Sequence, residues 1–219
     1  MEEEPNVSGV LLMKDNEIYN TDVENIENVG RKILLTGTCW YELAGLWHQL
    51  SAQGYDVYWV PLGDYCIQDC WDLIIVALSA EPVAGWGRHL PWVWELRTQI
   101  FGEMVVLVPD RLKKLKMLQG GCSVYSGRES LRWLDACIST IPRREIVLVG
   151  QFRLTDGQRR VLKRLSKRER PLNLKREKRE LYYHLARLAK NVGVRDFRML
   201  LMTGLDREIY EMEEKLYGN

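Results

Sequence analysis

Residues Trp71-Asp-Leu-Ile-Ile-Val-Ala-Leu78 form a nearly continuous apolar run that stops at Ser79-Ala-Glu-Pro82. The run is too short for an ordinary helix, and its branched residues favour extended chain. A strand that is apolar at successive positions is covered on both faces, as a central strand of a parallel sheet is. Strand and helix patterns alternate around it. Ile33 to Thr36 is a short apolar run ending at Gly37, after which Tyr41, Leu43, Leu46, Trp47 and Leu50 recur at helical spacing up to Gly54. Tyr55 to Val60 alternates like a strand, and Pro91 to Phe101 reads as a helix. Met104 to Val108 is a further buried strand, Leu112 to Leu118 a short basic helix, Cys122 to Tyr125 a last strand and Glu129 to Ile141 a helix. Such alternation demands a parallel sheet with helices over both faces, because parallel crossovers carry helices there.

Other features narrow the function. The five cysteines are scattered, and the closest pair, Cys66 and Cys70, has three residues between, which is neither a disulfide framework nor the usual zinc spacing. His48, His89 and His184 sit far apart. No metal site, cofactor or cysteine-histidine nucleophile is expected. Gly37 follows the first strand without a Walker loop or a Gly-x-Gly-x-x-Gly fingerprint, so an enzyme is not expected either. The start Met1-Glu-Glu-Glu-Pro5 lacks the basic opening of a secretory signal, and no run approaches the roughly 18 apolar residues of a membrane span. A cytoplasmic chain with no membrane partner is the expectation. Of the eight tryptophans, most are expected in the core. Gly85 to Trp94 reads as a loop leading into a helix, where core packing outweighs a partner surface.

The overall net charge of +1 conceals a strong asymmetry. Residues 1–142 carry 11 Lys and Arg against 19 Asp and Glu, a net −8. Residues 143–198 carry 18 against 6, a net +12, and 199–219 carry 2 against 5, a net −3. A block this basic inside a near-neutral chain points to a polyanion, with nucleic acid the commonest partner. The basic block is purely helical in pattern. Thr155 or Asp156 can cap a helix with Val161, Leu162 and Leu165 on one side and Arg159, Arg160, Lys163 and Arg164 on the other. After Pro171, a helix from about Leu174 or Lys175 to Asn191 has Leu181, Leu185, Leu188 and Val192 at helical spacing. Its remaining surface carries Lys175, Arg176, Lys178, Arg179, Tyr182, Tyr183, His184, Arg187 and Lys190, the candidate DNA-contacting residues. Gly193 ends it. From Leu205 to Tyr217, Ile209, Met212 and Leu216 form an apolar stripe, expected to pack within the chain rather than to dimerise.

Asp72 to Pro82 resembles the third strand of response-regulator receiver domains, where an aspartate at the strand's end accepts a phosphoryl group. Ala77 stands in that place. The acidic pair after the first strand is replaced by Thr36-Gly-Thr-Cys39, Val108-Pro109 stands where Ser or Thr is expected, and Arg128 replaces the lysine after the fifth strand. Phosphoryl transfer to a carboxylate needs a nucleophile and a cation site, and alanine supplies neither. Leu154 to Leu162 and Arg179 to Val194, including His184 and the Gly-Val ending, are similar to the opening and recognition helices of LuxR (NarL/FixJ) helix-turn-helix domains. Between Leu165 and Lys178 the chain is about four residues shorter than that pattern, and Pro171 falls in the scaffold helix.

The resemblance implies an atypical response regulator similar to auxiliary regulators of the Rcs type. Its fold would be α/β plus all-α: a doubly wound, flavodoxin-like receiver sheet followed by a helix-turn-helix. The segments are an unassigned extension (1–30), a receiver-like domain (31–141), a linker (142–153), a DNA-binding module (154–204) and an acidic helix (205–219). The implied partners are double-stranded DNA and a second subunit, as a homodimer or a heterodimer with a LuxR-type response regulator. The alternative is an interaction-only subunit that modulates such a regulator without touching DNA.

Overall fold

A computed structural model describes residues 30–61, 71–99, 102–119, 121–129, 154–167 and 175–217 of the 219-residue chain. Five short apolar segments are extended: β1 (Lys32–Gly37), β2 (Asp56–Trp59), β3 (Leu73–Ala77), β4 (Glu103–Val108) and β5 (Ser123–Ser126). They form one parallel sheet in the order β2-β1-β3-β4-β5. Leu34 lies opposite Tyr58 on one side and Ile74 on the other, and Val106 lies between Val76 and Val124. All five residues of β3 are buried, as its unbroken apolar run requires. The strand order reverses beside β1, so the chain steps first to β2 and then across to β3.

Alternation along the strands sorts the core into two layers. Ile33, Leu35, Ile75 and Leu107 face α1 (Trp40–Ala52), which buries Leu43, Leu46 and Leu50. At the end of α1, Gly54 adopts φ +87 and Tyr55 donates its amide to the Leu50 carbonyl, returning the chain into β2. Leu34, Ile74, Val76, Met104 and Val106 face the opposite way. They meet α2 (Leu90–Gln99) and the 3-10 turns Trp86–His89, Asp110–Leu112 and Lys116–Leu118.

That second layer continues without a break into the basic end of the chain. Helices α3 (Asp156–Ser166), α4 (Lys175–Val192), α5 (Phe197–Thr203) and α6 (Leu205–Tyr217) contribute Leu162, Leu185, Leu188, Val192, Leu200 and Ile209 to the same hydrophobic cluster. Each such side chain withdrawn from water contributes about 1.5–3 kcal/mol. Two backbone approaches fix the contact. The Gly85 amide donates to the Met202 carbonyl at 2.9 Å, and a Cβ on Gly87 would stand 2.9 Å from the Leu205 nitrogen. Gly193, at φ +92, ends α4 so close to the Lys114 carbonyl that no Cβ fits between them. The helices expected as a separate module therefore share their core with the sheet.

Three local expectations change. Leu112 to Leu118 is two 3-10 turns rather than one basic helix. Leu112, Leu115, Met117 and Leu118 are all buried, and one α-helical stripe cannot turn Met117 to the same side as the other three. Trp40 and Trp59 are exposed and meet edge to face at 4.9 Å, although aromatic residues in regular elements read as core. By contrast, Trp86 is fully buried and donates its indole N–H to the Leu78 carbonyl at 3.3 Å, while Trp92 and Trp94 pack against the core. Finally, Arg159 does not join the outward cations of α3; it pairs with Glu213 of α6 at 2.8 Å. The helix expected over Glu129 to Ile141, the linker, residues 1–29, and Cys66, Cys70 and Cys137 lie wholly or mostly outside the described residues. No described helix is long and apolar enough to cross a membrane.

Candidate nucleic-acid interface

Local chemistry sets the ends of the basic helices. Thr155 caps α3 by accepting the Gln158 amide, and the Gln158 side chain accepts the Thr155 amide at 2.9 Å, a reciprocal capping box. Asp196 caps α5 by accepting the Met199 amide at 2.9 Å. That carboxylate is held below its ordinary range, first by the Met199 amide and then by Arg195. Between them α4 has two sides. Leu185, Leu188, Ala189 and Val192 are buried and Leu181 half-buried. Arg179, Tyr183, Arg187 and Lys190 are exposed at intervals of three or four residues, so they form one outward stripe. The Arg187 guanidinium donates to the Tyr183 hydroxyl at 3.4 Å along it.

The other candidates divide. Lys178 is exposed near the start of α4. Tyr182 is half-exposed, but its ring meets Phe197 of α5 edge to face at 5.2 Å, which ties it to the helical packing. His184 turns away from the stripe and lies over Gly157 of α3, where a Cβ would strike the imidazole. Its side chain is only 19% exposed and sits 3.9 Å from Glu180, so it serves helix contact rather than the outer surface. Lys175 and Arg176 occupy the first turn of α4, and their side chains lie outside the described residues. On α3, Arg160, Lys163, Arg164 and Lys167 are exposed.

Ala77 ends β3 beside Gly37 of β1 and is fully buried in the α1 layer. No Cβ fits on Gly37 against the Ala77 carbonyl. Among the described residues, no group of three or more His, Cys, Asp or Glu side chains gathers as metal ligands do. Cys122 is buried beside Met104, and that burial pushes its thiol up to about 12, so it behaves as a small apolar side chain. No family model matches the chain, and no curated protein or solved structure is detectably similar to it.

Proposed function

We propose that this chain is a DNA-binding regulator of the LuxR type that acts without aspartyl phosphorylation, paired with a second copy or with a related regulator. The observation that carries the proposal is the outward stripe Arg179, Tyr183, Arg187 and Lys190, backed by a leucine face that holds α4 against the rest of the helices. Arginine forks bond guanine edges or phosphates, and tyrosine contacts a phosphate or a thymine methyl. The charge of +12 over residues 143–198 supports a phosphate footprint. The parallel order β2-β1-β3-β4-β5 is the one in which doubly wound, flavodoxin-like sheets are built, and it supports the receiver-like assignment of the first half. Alanine at position 77 supports independence from phosphorylation.

The test is a fluorescence-anisotropy titration of the full chain against duplex DNA at several salt concentrations. Binding should weaken steeply with salt. Replacing Arg179, Arg187 and Lys190 together by Ala should lower the slope of log affinity against log salt by roughly 2–3. A slope identical in the parent and the triple variant would remove the proposal in favour of a subunit that acts on a partner without touching DNA.

A further inference from the structure

A cavity of about 410 Å³ opens at the carboxyl ends of β3, β4 and β5. Its volume lies within the roughly 300–1,000 Å³ of small-molecule sites, and the carboxyl ends of parallel strands are where open α/β sheets bind ligands. Four charged residues line it: Glu81, Asp110, Arg111 and Arg128. Both acids are already engaged. Glu81 pairs with Arg88 at 2.7 Å and His89 at 3.2 Å, and a hydrogen bond from Thr38 contributes most to holding its carboxyl below the ordinary range. Asp110 accepts from Lys113 and from the Ser126 hydroxyl, each at 3.1 Å, which lowers it likewise. Nearby, Glu42 accepts from the Ser79 hydroxyl and from the Ala80 amide. Among the described residues neither Arg111 nor Arg128 forms a salt bridge, although Arg128 is near enough to help lower Asp110, so both line the cavity with donors open to an anion. The rest of the wall includes Pro82, Val83, Val108 and Pro109, an apolar surface suited to a carbon skeleton.

We propose that this cavity binds a small phosphate monoester, with the phosphoryl group between Arg111 and Arg128 and the organic part against Val83 and Pro109. Guanidinium groups supply paired donors suited to the oxygens of a phosphoryl dianion. The apolar wall favours the ester over inorganic phosphate. The site is separate from the α4 stripe, so it stands or falls independently of nucleic-acid binding.

The test uses the full chain, with phenyl phosphate, inorganic phosphate and sodium chloride compared at equal ionic strength by calorimetric titration and thermal melting. Phenyl phosphate should give saturable binding and raise Tm. Arg111→Ala and Arg128→Ala should each weaken binding about tenfold, the loss expected of one charge-assisted contact. Both side chains are exposed, so the unliganded Tm of the variants should match the parent. The variant carrying Arg179→Ala and Arg187→Ala should bind the ester as the parent does. The proposal is overturned by an absent or unsaturable response, by binding retained when Arg111 and Arg128 are both replaced, by loss of binding in the α4 variant, or by inorganic phosphate binding as tightly as the ester.

Discussion

On one face of the sheet the described cover is α1, which follows β1 directly and leads into β2; on the other it is α2 and the 3-10 turns, onto which helices from beyond residue 153 pack. The first closure is local in sequence, the second spans much of the chain. The difference shows how an acidic and a basic stretch of chain contribute to one cluster: among the described residues most charged side chains are exposed, while the apolar sides meet. A change of charge along a chain marks a change of surface and need not mark a boundary between cores.

If the basic helices pack onto the second layer, the contact points between them and that layer should be more sensitive than their counterparts on the α1 side. Gly193 and Gly54 both end helices at positive φ, but Gly54 looks into open space whereas Gly193 abuts the Lys114 carbonyl. Gly193→Ala should therefore cost about 3 kcal/mol and Gly54→Ala about 1 kcal/mol in urea unfolding. Equal losses would break the comparison. Next in size is the Arg159–Glu213 pair between α3 and α6, where the Glu213 side chain is only 7% exposed. Glu213→Gln should cost about 1–2 kcal/mol, moderated because Arg159 keeps access to water. A change under 0.3 kcal/mol, with the helices still packed, would show that apolar contact alone orders this layer.

The smallest effect expected is a gain. Asp206, in the first turn of α6, is buried with one carboxylate oxygen unpartnered, and burial raises its pKa above the ordinary range. The folded chain then holds the proton more tightly than the unfolded one. Stability falls as pH rises from the unfolded value of about 3.9 through the raised folded value, and the penalty is complete above it. Asp206→Asn should stabilise the protein by about 1 kcal/mol at neutral pH, and the gain should shrink as pH is lowered towards about 4. A gain that does not change with pH would point to the Asn side chain's hydrogen bonding instead.

Much of the sheet could be read from residues alone. Leu73 to Ala77 and Met104 to Val108 are unbroken apolar runs, and burial on both faces leaves few other arrangements for them. The span of α4 was equally legible, because Leu181, Leu185, Leu188 and Val192 keep helical spacing and Gly193 stops them. What those leucines pack against was not legible. An amphipathic stripe states that a surface must be covered, but the identity of its cover depends on contacts such as Gly87 with Leu205, which no local pattern encodes. The same limit hid the inward turn of His184, set by a glycine 27 positions earlier. It also hid the pairing of Arg111 with Arg128 across one cavity, because they reach it from different strand ends. Trp40 and Trp59 misled for another reason: an aromatic side chain at a strand or helix end suits both interior and surface.

Packing helices from the far end of the chain onto the α2 layer has a consequence for biosynthesis. The described strands are complete by Ser126, yet Leu185, Leu188, Val192 and Ile209 leave the ribosome some 60–80 codons later. At translation speeds of about 5–20 residues per second, α2 and the turns Trp86–His89 and Lys116–Leu118 wait on the order of ten seconds without the helices that pack on them. During that interval the nascent chain presents a greasy plane to chaperones, so its yield in a cell should follow holdase supply more closely than the stability of the finished protein.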